Sequence, residues 1–177
     1  MHYAITIKYI YKNIFFFFLF SENLFKNSII LFLPSFSIFY IILFFKYSYF
    51  FKNFILLDLG AYEIPSLSSN NDLLYKNIIY YIFKNTIDTY IFIFSILKDY
   101  SIISVEYLFR NAKWLEKESS DFFNIFFKNK KDRRSLFTIP LFYESPFRKK
   151  FPVVGFYEIF ICFFTKKIKF KHISFKN

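Results

Sequence analysis

The chain has 177 residues, enough for one domain with a sizeable core but too few for two. Its 32 Phe and 15 Tyr are far above ordinary usage, and with abundant Lys, Asn and Ile they indicate an AT-rich, organellar gene. The formal net charge of +11 is compatible with binding to nucleic acid, with binding to an anionic membrane surface, or with simple accumulation of Lys. The charge alone does not distinguish these possibilities. Two Gly, one Cys and two His exclude a phosphate-binding loop, a dinucleotide fold, an intrachain disulfide, an iron–sulfur cluster and a structural zinc site.

An uncharged stretch near the N-terminus has two interpretations. Residues 27–45 carry no charge and are just long enough to cross a bilayer as one helix. Pro34 interrupts them, and a proline inside a helix costs about 3 kcal/mol unless a kink is accommodated. We therefore predict a buried helix over 36–45 with Ser35 as its N-cap. One membrane span near 28–45 is the alternative. No targeting peptide is predicted, because no small-residue cleavage site follows the first apolar run.

The middle of the chain is rich in strand-forming residues. The run 51–59 ends at Gly60 and predicts a strand, followed by a polar loop from Pro65 onward. The runs 73–83 and 89–97 are rich in Ile, Tyr and Phe, and they predict two neighbouring strands. The start of the first of these runs is also compatible with a helix, since short apolar runs are ambiguous.

The most clearly helical stretch is 112–123, with Asn111 as its N-cap. On a period of 3.6 residues, one face carries Leu115, Ser119, Phe122 and Phe126. Lys117 and Asp121, four residues apart, predict an ion pair on the exposed side. The segment 128–134 is predicted as a charged loop.

The C-terminal part is predicted to wrap a surface. Pro140, Pro146 and Pro152 each fix their own φ and disfavour helix in the preceding residue, so the backbone is expected to be extended. After Gly155, two apolar runs flank a short polar turn near residue 166, and this pattern predicts a hairpin.

Catalysis and RNA binding receive little support from the residues. The two histidines stand at opposite ends of the chain, with no Ser or Cys beside them in a recognisable motif. Glu118 and Asp121 lie three apart on one helical face, but the basic residues nearby favour ion pairing over acid–base chemistry. Arg133 and Arg134 among aromatics fit an organellar ribosomal or RNA-binding protein, which is a further alternative. Aromatic residues occur throughout this chain, so their interleaving with cations carries little weight.

Three clusters follow one another in the second half of the chain. The first contains Ala112, Trp114, Glu116, Lys117, Glu118, Asp121, Phe122 and Phe123. The second is Asp132, Arg133 and Arg134. The third contains Pro146, Phe147, Arg148, Lys149, Lys150, Phe151 and Pro152, with Gly155 after it. In residue type, order and spacing these clusters resemble the thirty-kilodalton subunit of respiratory complex I, NADH dehydrogenase subunit 9. Asn124 stands where that family usually has Gly, and because Asn tolerates left-handed backbone it can still end the helix.

Together with this resemblance, the elements predict an α+β fold. We expect a mixed sheet of about four strands packed with helices, followed by an extended C-terminal segment and hairpin. Within one domain, residues 1–49 are expected to be the apolar, helical N-terminal part. Residues 50–127 form the α/β core that ends in the signature helix, and residues 128–177 form the wrapping segment and hairpin.

The resemblance implies a cofactor-free structural subunit in the peripheral arm of proton-translocating NADH:ubiquinone oxidoreductase. The arm lies on the matrix side of the mitochondrial inner membrane, and an organelle-encoded chain is expected. Implied neighbours are the forty-nine-kilodalton subunit and the iron–sulfur subunits near the quinone site. Partner subunits would bind NADH, FMN, the iron–sulfur clusters and ubiquinone, while this chain would hold no catalytic residue and no nucleic acid.

The candidate site residues are those of interface contacts or structural ion pairs. They are Trp114, Glu116, Glu118, Asp121, Asp132, Arg133, Arg134, Pro146, Arg148, Lys149, Pro152 and Gly155. The acidic residues on the helix are expected to pair with the later basic residues, within the chain or across an interface. The acids are Glu116, Glu118 and Asp121, and the basic partners are Arg133, Arg134, Arg148 or Lys149.

Overall fold

The computed structural model describes residues 28–49, 54–67, 73–85, 89–97, 99–138 and 144–173, together with the backbone of a short strand at 19–22. In chain order the elements are β1 (Leu19–Glu22), β2 (Ser28–Phe32), α1 (Ile38–Tyr47), β3 (Ile55–Leu67), β4 (Leu73–Lys84), β5 (Tyr90–Leu97), β6 (Ser101–Ile103), α2 (Ala112–Phe123), β7 (Phe126–Lys128), β8 (Tyr157–Cys162) and β9 (Lys167–His172). The fold is α+β, as predicted.

The main sheet is mixed and has the strand order β1-β2-β5-β4-β3. Strands β2 and β5 pair in parallel, and the other neighbours are antiparallel. The predicted neighbours β4 and β5 are confirmed. Two strands come from the N-terminal part, which was expected to be helical. In β2, Ile29 and Leu31 are buried and Phe32 is exposed, an alternation that fits a half-buried strand better than a helix.

Helix α1 confirms the predicted buried helix but begins later than expected. Ser37, not Ser35, occupies the N-cap position, and its hydroxyl donates to the Pro34 carbonyl at 2.9 Å instead of capping the helix. The buried residues Ile38, Ile41, Ile42 and Phe45 follow the spacing of one helical face. Within the described ranges, no helix is long and apolar enough to cross a membrane.

Strand β3 is longer than the sequence predicted, because it runs through both Gly60 and Pro65. Strand β3 lies at the edge of the sheet, so the missing N–H of Pro65 does not interrupt the hydrogen bonds between central strands. Gly60 pairs with Tyr80, whose ring leaves no room for a side chain: a Cβ at residue 60 would lie 2.6 Å from a ring carbon. The predicted strand end at Gly60 is therefore wrong. The polar stretch 68–72 lies outside the described residues.

One face of the sheet forms the core against the two helices. Phe45 of α1 meets Phe54 and Phe83, with ring centroids 6.4 and 5.9 Å apart, and Phe83 also meets Phe109 at 5.5 Å. Burial of each such side chain contributes roughly 1.5–3 kcal/mol. Helix α2 contacts β3 at the edge of the sheet. This packing fixes the position of α2, which carries four of the candidate site residues.

Helix α2 has the predicted bounds, and its C-cap Asn124 adopts the predicted left-handed conformation, with φ 54° and ψ 45°. The side chain of Asn111 does not cap the helix but donates to the Leu56 carbonyl of β3. The predicted apolar face is only partly right. Phe126 lies beyond the helix in β7, whereas the residues that α2 buries are Ala112, Glu116, Lys117 and Ser119.

The predicted extended course is replaced between Ser145 and Gly155 by three successive turns. Amide-to-carbonyl bonds join Arg148 to Ser145, Phe151 to Arg148, and Gly155 to Pro152, at 3.1, 3.0 and 2.9 Å. The sequence fits two of these turns: Ser145 and Pro146 suit the first two positions of the first turn, and Gly155 suits the last position of the third. Gly155 has φ 77°. Pro140 lies outside the described residues, and the predicted hairpin is confirmed as β8 paired antiparallel with β9.

Candidate interaction site around the second helix

A buried ion pair lies at the centre of the candidate site. Glu116 of α2 has no exposed surface. Its carboxylate accepts hydrogen bonds from the Ser104 hydroxyl at 2.7 Å, the Val105 amide at 2.7 Å and the Lys130 ammonium at 2.8 Å. A buried charge is tolerated when it is paired and hydrogen-bonded in this way, because its lost hydration is replaced. Glu116 thereby fastens α2 to the end of β6 and to the segment after β7.

Lys130 is the partner that the sequence did not reveal for Glu116. Its ammonium also donates to the Lys113 carbonyl at 3.0 Å and lies 3.5 Å from Glu106. Asn129 precedes it with a positive φ of 62°, which turns the chain back toward α2. The position of Lys130 within a run of cations gave no indication that it is the buried one among them.

The second sequence cluster folds back onto α2 through Asp132. Its carboxylate accepts from Lys117 at 2.8 Å and from the Arg134 guanidinium through two bonds of 3.0 Å each. The hydrogen bonds from Arg134 and then Lys117 hold the pKa of Asp132 well below its usual range. The predicted exposed pair of Lys117 with Asp121 is wrong, because Lys117 is buried and turned toward Asp132.

Among the residues that the structure describes, Asp121 organises a loop and joins no ion pair. One of its carboxylate oxygens accepts from the backbone amides of Leu136, Phe137 and Thr138, at 2.7, 2.9 and 3.4 Å. Glu118 is exposed and makes no hydrogen bond or ion pair with any residue that the structure describes. Pairing of these two acids across an interface stays a prediction.

The third sequence cluster is attached to the C-terminal end of α2. The Arg148 guanidinium donates to the Phe123 carbonyl at 3.0 Å and lies 4.7 Å from the centre of the Tyr100 ring. A cation at this end complements the helix dipole. The buried Glu63 accepts from the Lys149 amide at 2.7 Å, and its other oxygen lies 3.9 Å from Arg148. Pro146 and Pro152 lie in the turns that position these contacts, and Gly155 ends the last turn.

Five candidate residues of this site face solvent, namely Trp114, Glu118, Arg133, Arg134 and Lys149. Trp114 is 56% exposed, and the Lys117 ammonium lies 5.5 Å from the centre of its ring. The Arg133 guanidinium lies 4.6 Å from the centre of the Phe126 ring, and Arg134 is exposed beside Asp132. The buried charges of Glu116, Lys117 and Lys130 are thus paired within the chain, whereas Trp114 and Arg133 are exposed. Among the described residues, no three or more His, Cys, Asp or Glu are grouped so as to hold a metal ion.

The sequence matches the family described as "Respiratory-chain NADH dehydrogenase, 30 Kd subunit" over residues 36–157. NADH-ubiquinone oxidoreductase subunit 9 of Acanthamoeba castellanii is 43% identical over 56 residues, 32% of this chain and 29% of that protein. The Dictyostelium citrinum subunit 9 is 37% identical over 67 residues, 38% of this chain and 32% of that protein. An NADH-quinone oxidoreductase subunit from Phenylobacterium zucineum is 36% identical over 62 residues, 35% of this chain and 30% of that protein. The matches span about a third of the length of these relatives.

Two solved structures share the fold. A chain of the membrane-bound sulfane sulfur reductase, an archaeal respiratory membrane complex, superposes with a TM-score of 0.70 at 16% identity, covering 87% of this chain and 88% of that one. The trypsin-resistant fragment (1-134) of Nqo5 superposes with a TM-score of 0.57 at 16% identity, covering 75% and 99%. Since the family match covers well over half of the sequence, the chain belongs to the family of the 30 Kd subunit of respiratory-chain NADH dehydrogenase.

Proposed function

We propose that the chain is a structural subunit in the peripheral arm of proton-translocating NADH:ubiquinone oxidoreductase. It would lie on the matrix side of the mitochondrial inner membrane and support the assembly and positioning of the forty-nine-kilodalton and iron–sulfur subunits. Partner subunits would bind NADH, FMN, the iron–sulfur clusters and ubiquinone. Membership of the family of the 30 Kd subunit supports this proposal.

The observation that carries the proposal is the uncovered apolar face of the β8–β9 hairpin. By strand register, this face consists of Tyr157, Ile159 and Ile161 opposite His172, Phe170 and Ile168. Its five tyrosine, isoleucine and phenylalanine side chains are 50–66% exposed. A two-stranded hairpin alone is marginally stable in water, and an apolar patch of this kind marks an interaction surface.

The opposite face of the hairpin differs in chemistry. Lys167, Lys169 and Lys171 alternate with the apolar residues of β9 and point the other way. Such a hairpin can bury one face against a protein partner and leave its charges in water. The turn segment that precedes it is fastened to α2 by Arg148, so a partner held by the hairpin would also be positioned relative to the core.

The experiment is to solubilise organelle membranes gently, separate complexes by native electrophoresis and locate the chain by mass spectrometry. We expect it to migrate with NADH dehydrogenase activity and the forty-nine-kilodalton subunit. Migration with ribosomes would favour the RNA-binding alternative. A small species that resists carbonate extraction would favour the membrane-spanning alternative, and either result would contradict the proposal.

A further inference from the structure

A second surface, separate from the hairpin, is a cleft of about 690 Å³ between α1 and the loop that precedes α2. Its walls include Phe39 and Tyr40 of α1 on one side and Tyr107 on the other. Tyr40 is 63% exposed and Tyr107 84%. Aromatic rings that line an open concave surface supply contact area at low entropic cost, as they do in protein interfaces.

The same cleft carries two cations without a counterion in the described part of the chain. Arg110 makes no side-chain hydrogen bond or ion pair there. The Lys131 ammonium lies 5.2 Å from the centre of the Tyr107 ring and makes no ion pair there either. The acid in the lining is Glu106, and its carboxylate faces the buried Lys130 at 3.5 Å. The open side of the cleft is therefore electropositive.

The internal ion pair holds this arrangement in place. Asn129 takes a left-handed conformation, after which Lys130 points inward to Glu116 and Lys131 outward to the cleft. Ser104, which also lines the cleft, donates to the same carboxylate of Glu116. A wall fixed in this way loses little freedom when a ligand binds, and this pre-organisation favours affinity.

We propose that the cleft binds an acidic segment of a neighbouring protein chain. A carboxylate of that segment would lie between Arg110 and Lys131, and an adjacent apolar side chain would pack on Tyr40 and Tyr107. Arg recognises carboxylates in a bidentate manner, and the net charge of +11 complements an acidic partner. The identity of the neighbour as another subunit of the same complex rests on the proposed function.

A zero-length carbodiimide cross-linker tests the contact in the native complex, because it joins an amine to a carboxylate only when the two touch. We expect mass spectrometry to find Lys131 joined to an Asp or Glu of another chain. The internal pair of Lys117 with Asp132, 2.8 Å apart, is the positive control for the reagent. Lys131 should also be protected from acetylation in the complex and lose that protection when the complex is dissociated, whereas the exposed Lys150 serves as the reference.

The outcomes distinguish failure of the cleft proposal from failure of the proposed function. Free acetylation of Lys131 in the intact complex would overturn the cleft proposal, because the cleft would be open to solvent. Protection without a cross-link that is lost on removal of lipid would also overturn it, in favour of an anionic lipid. A cross-link to an acidic segment of a protein outside NADH dehydrogenase would support the cleft proposal and contradict the proposed function.

Discussion

Glu116 has no exposed surface, and its three hydrogen bonds include one from the buried ammonium of Lys130. Replacement of Glu116 by Gln keeps the shape but removes the closer of the two carboxylates beside that buried ammonium, which leaves only Glu106 at 3.5 Å. Because a broken buried ion pair costs about 3–5 kcal/mol, we expect Glu116→Gln to lower the free energy of unfolding by about that amount. Urea unfolding of the purified chain measures it. Glu118→Gln, on the exposed side of the same helix, should stay within about 0.5 kcal/mol of the parent.

The ion-pair interpretation makes a sharper prediction for the double variant Glu116→Gln with Lys130→Met. With the ammonium gone, Glu116→Gln no longer strands a charge, so the two losses should be strongly non-additive. The same unfolding measurement on both single variants and the double variant completes the cycle. Strict additivity would show that Glu116 and Lys130 act independently and would contradict the assigned pair.

Asp132 should make the stability depend on pH at the acid end. Arg134 and Lys117 hold its folded-state pKa below the unfolded value of about 3.9. As the pH falls below about 4, the unfolded chain takes up the proton first, so the stability contributed above that pH is progressively lost. Asp132→Asn should therefore flatten the acid limb of a plot of unfolding free energy against pH.

The sequence supplied candidate residues for the site but not their contacts. Glu116 was expected in an ion pair, yet its partner lies 14 residues away and faces it only because β7 and the left-handed Asn129 turn the chain back. Within the described residues Asp121 binds backbone amides and not the expected cation, and every residue offers such an amide, so no sequence pattern reveals the contact. Its pairing with a cation across an interface stays a prediction. Pairings between segments depend on the tertiary path, and residue types alone do not specify that path.

Helix α2 ends at Asn124, which has φ 54° and ψ 45°. A left-handed residue with a Cβ costs roughly 1–2 kcal/mol, a cost that Gly avoids and Asn partly avoids. We expect Asn124→Ala to lower the free energy of unfolding by about 1 kcal/mol and Asn124→Gly to leave it unchanged or slightly raised. Thermal unfolding of the three chains measures both effects. Equal losses for Ala and Gly would mean that the Asn side chain, and not its backbone conformation, matters.

At the scale of elements, local signals predicted α2 and the β8–β9 hairpin because periodicity and turn residues lie within each segment. Strand β3 was predicted too short, because Gly60 and Pro65 normally interrupt strands. Their tolerance depends on the Tyr80 ring over Gly60 and on the edge position of β3, both of which are tertiary facts. Strand β2 was missed for a related reason: its partner β5 lies about 60 residues further along the chain.

At the scale of the whole molecule, the charged side chains form two groups, one paired within the chain and one exposed. Glu116, Lys130 and Asp132 have their partners within the chain and join the first two sequence clusters around α2, while Arg148 attaches the third cluster to the end of the helix. The cations of the cleft and the apolar face of the β8–β9 hairpin are exposed. The packing of the described residues does not require this exposure. Open aromatic and apolar surfaces on a member of a respiratory subunit family are most simply explained by partner contacts.

Substitutions at two neighbouring residues of β9 distinguish a role of the hairpin in assembly from a role in folding. Phe170 is 58% exposed on the apolar face of the hairpin, and Lys169 is exposed on the opposite face. Phe170→Asp should abolish incorporation of the chain into the complex, because it would bury an unpaired carboxylate in the interface. Its free energy of unfolding should change little, since the residue is largely exposed in the free chain. Lys169→Asp, with the same new side chain one residue away, should assemble normally.

Native electrophoresis measures incorporation for both variants, and urea unfolding of the purified chains measures stability. Equal incorporation of the two variants would show that the apolar face is not buried in the complex. If only Lys169→Asp failed to assemble, the lysine face of the hairpin, and not its apolar face, would be the one that contacts an acidic partner. Only loss by Phe170→Asp at unchanged stability agrees with an apolar face that is left open by the fold and covered by a partner.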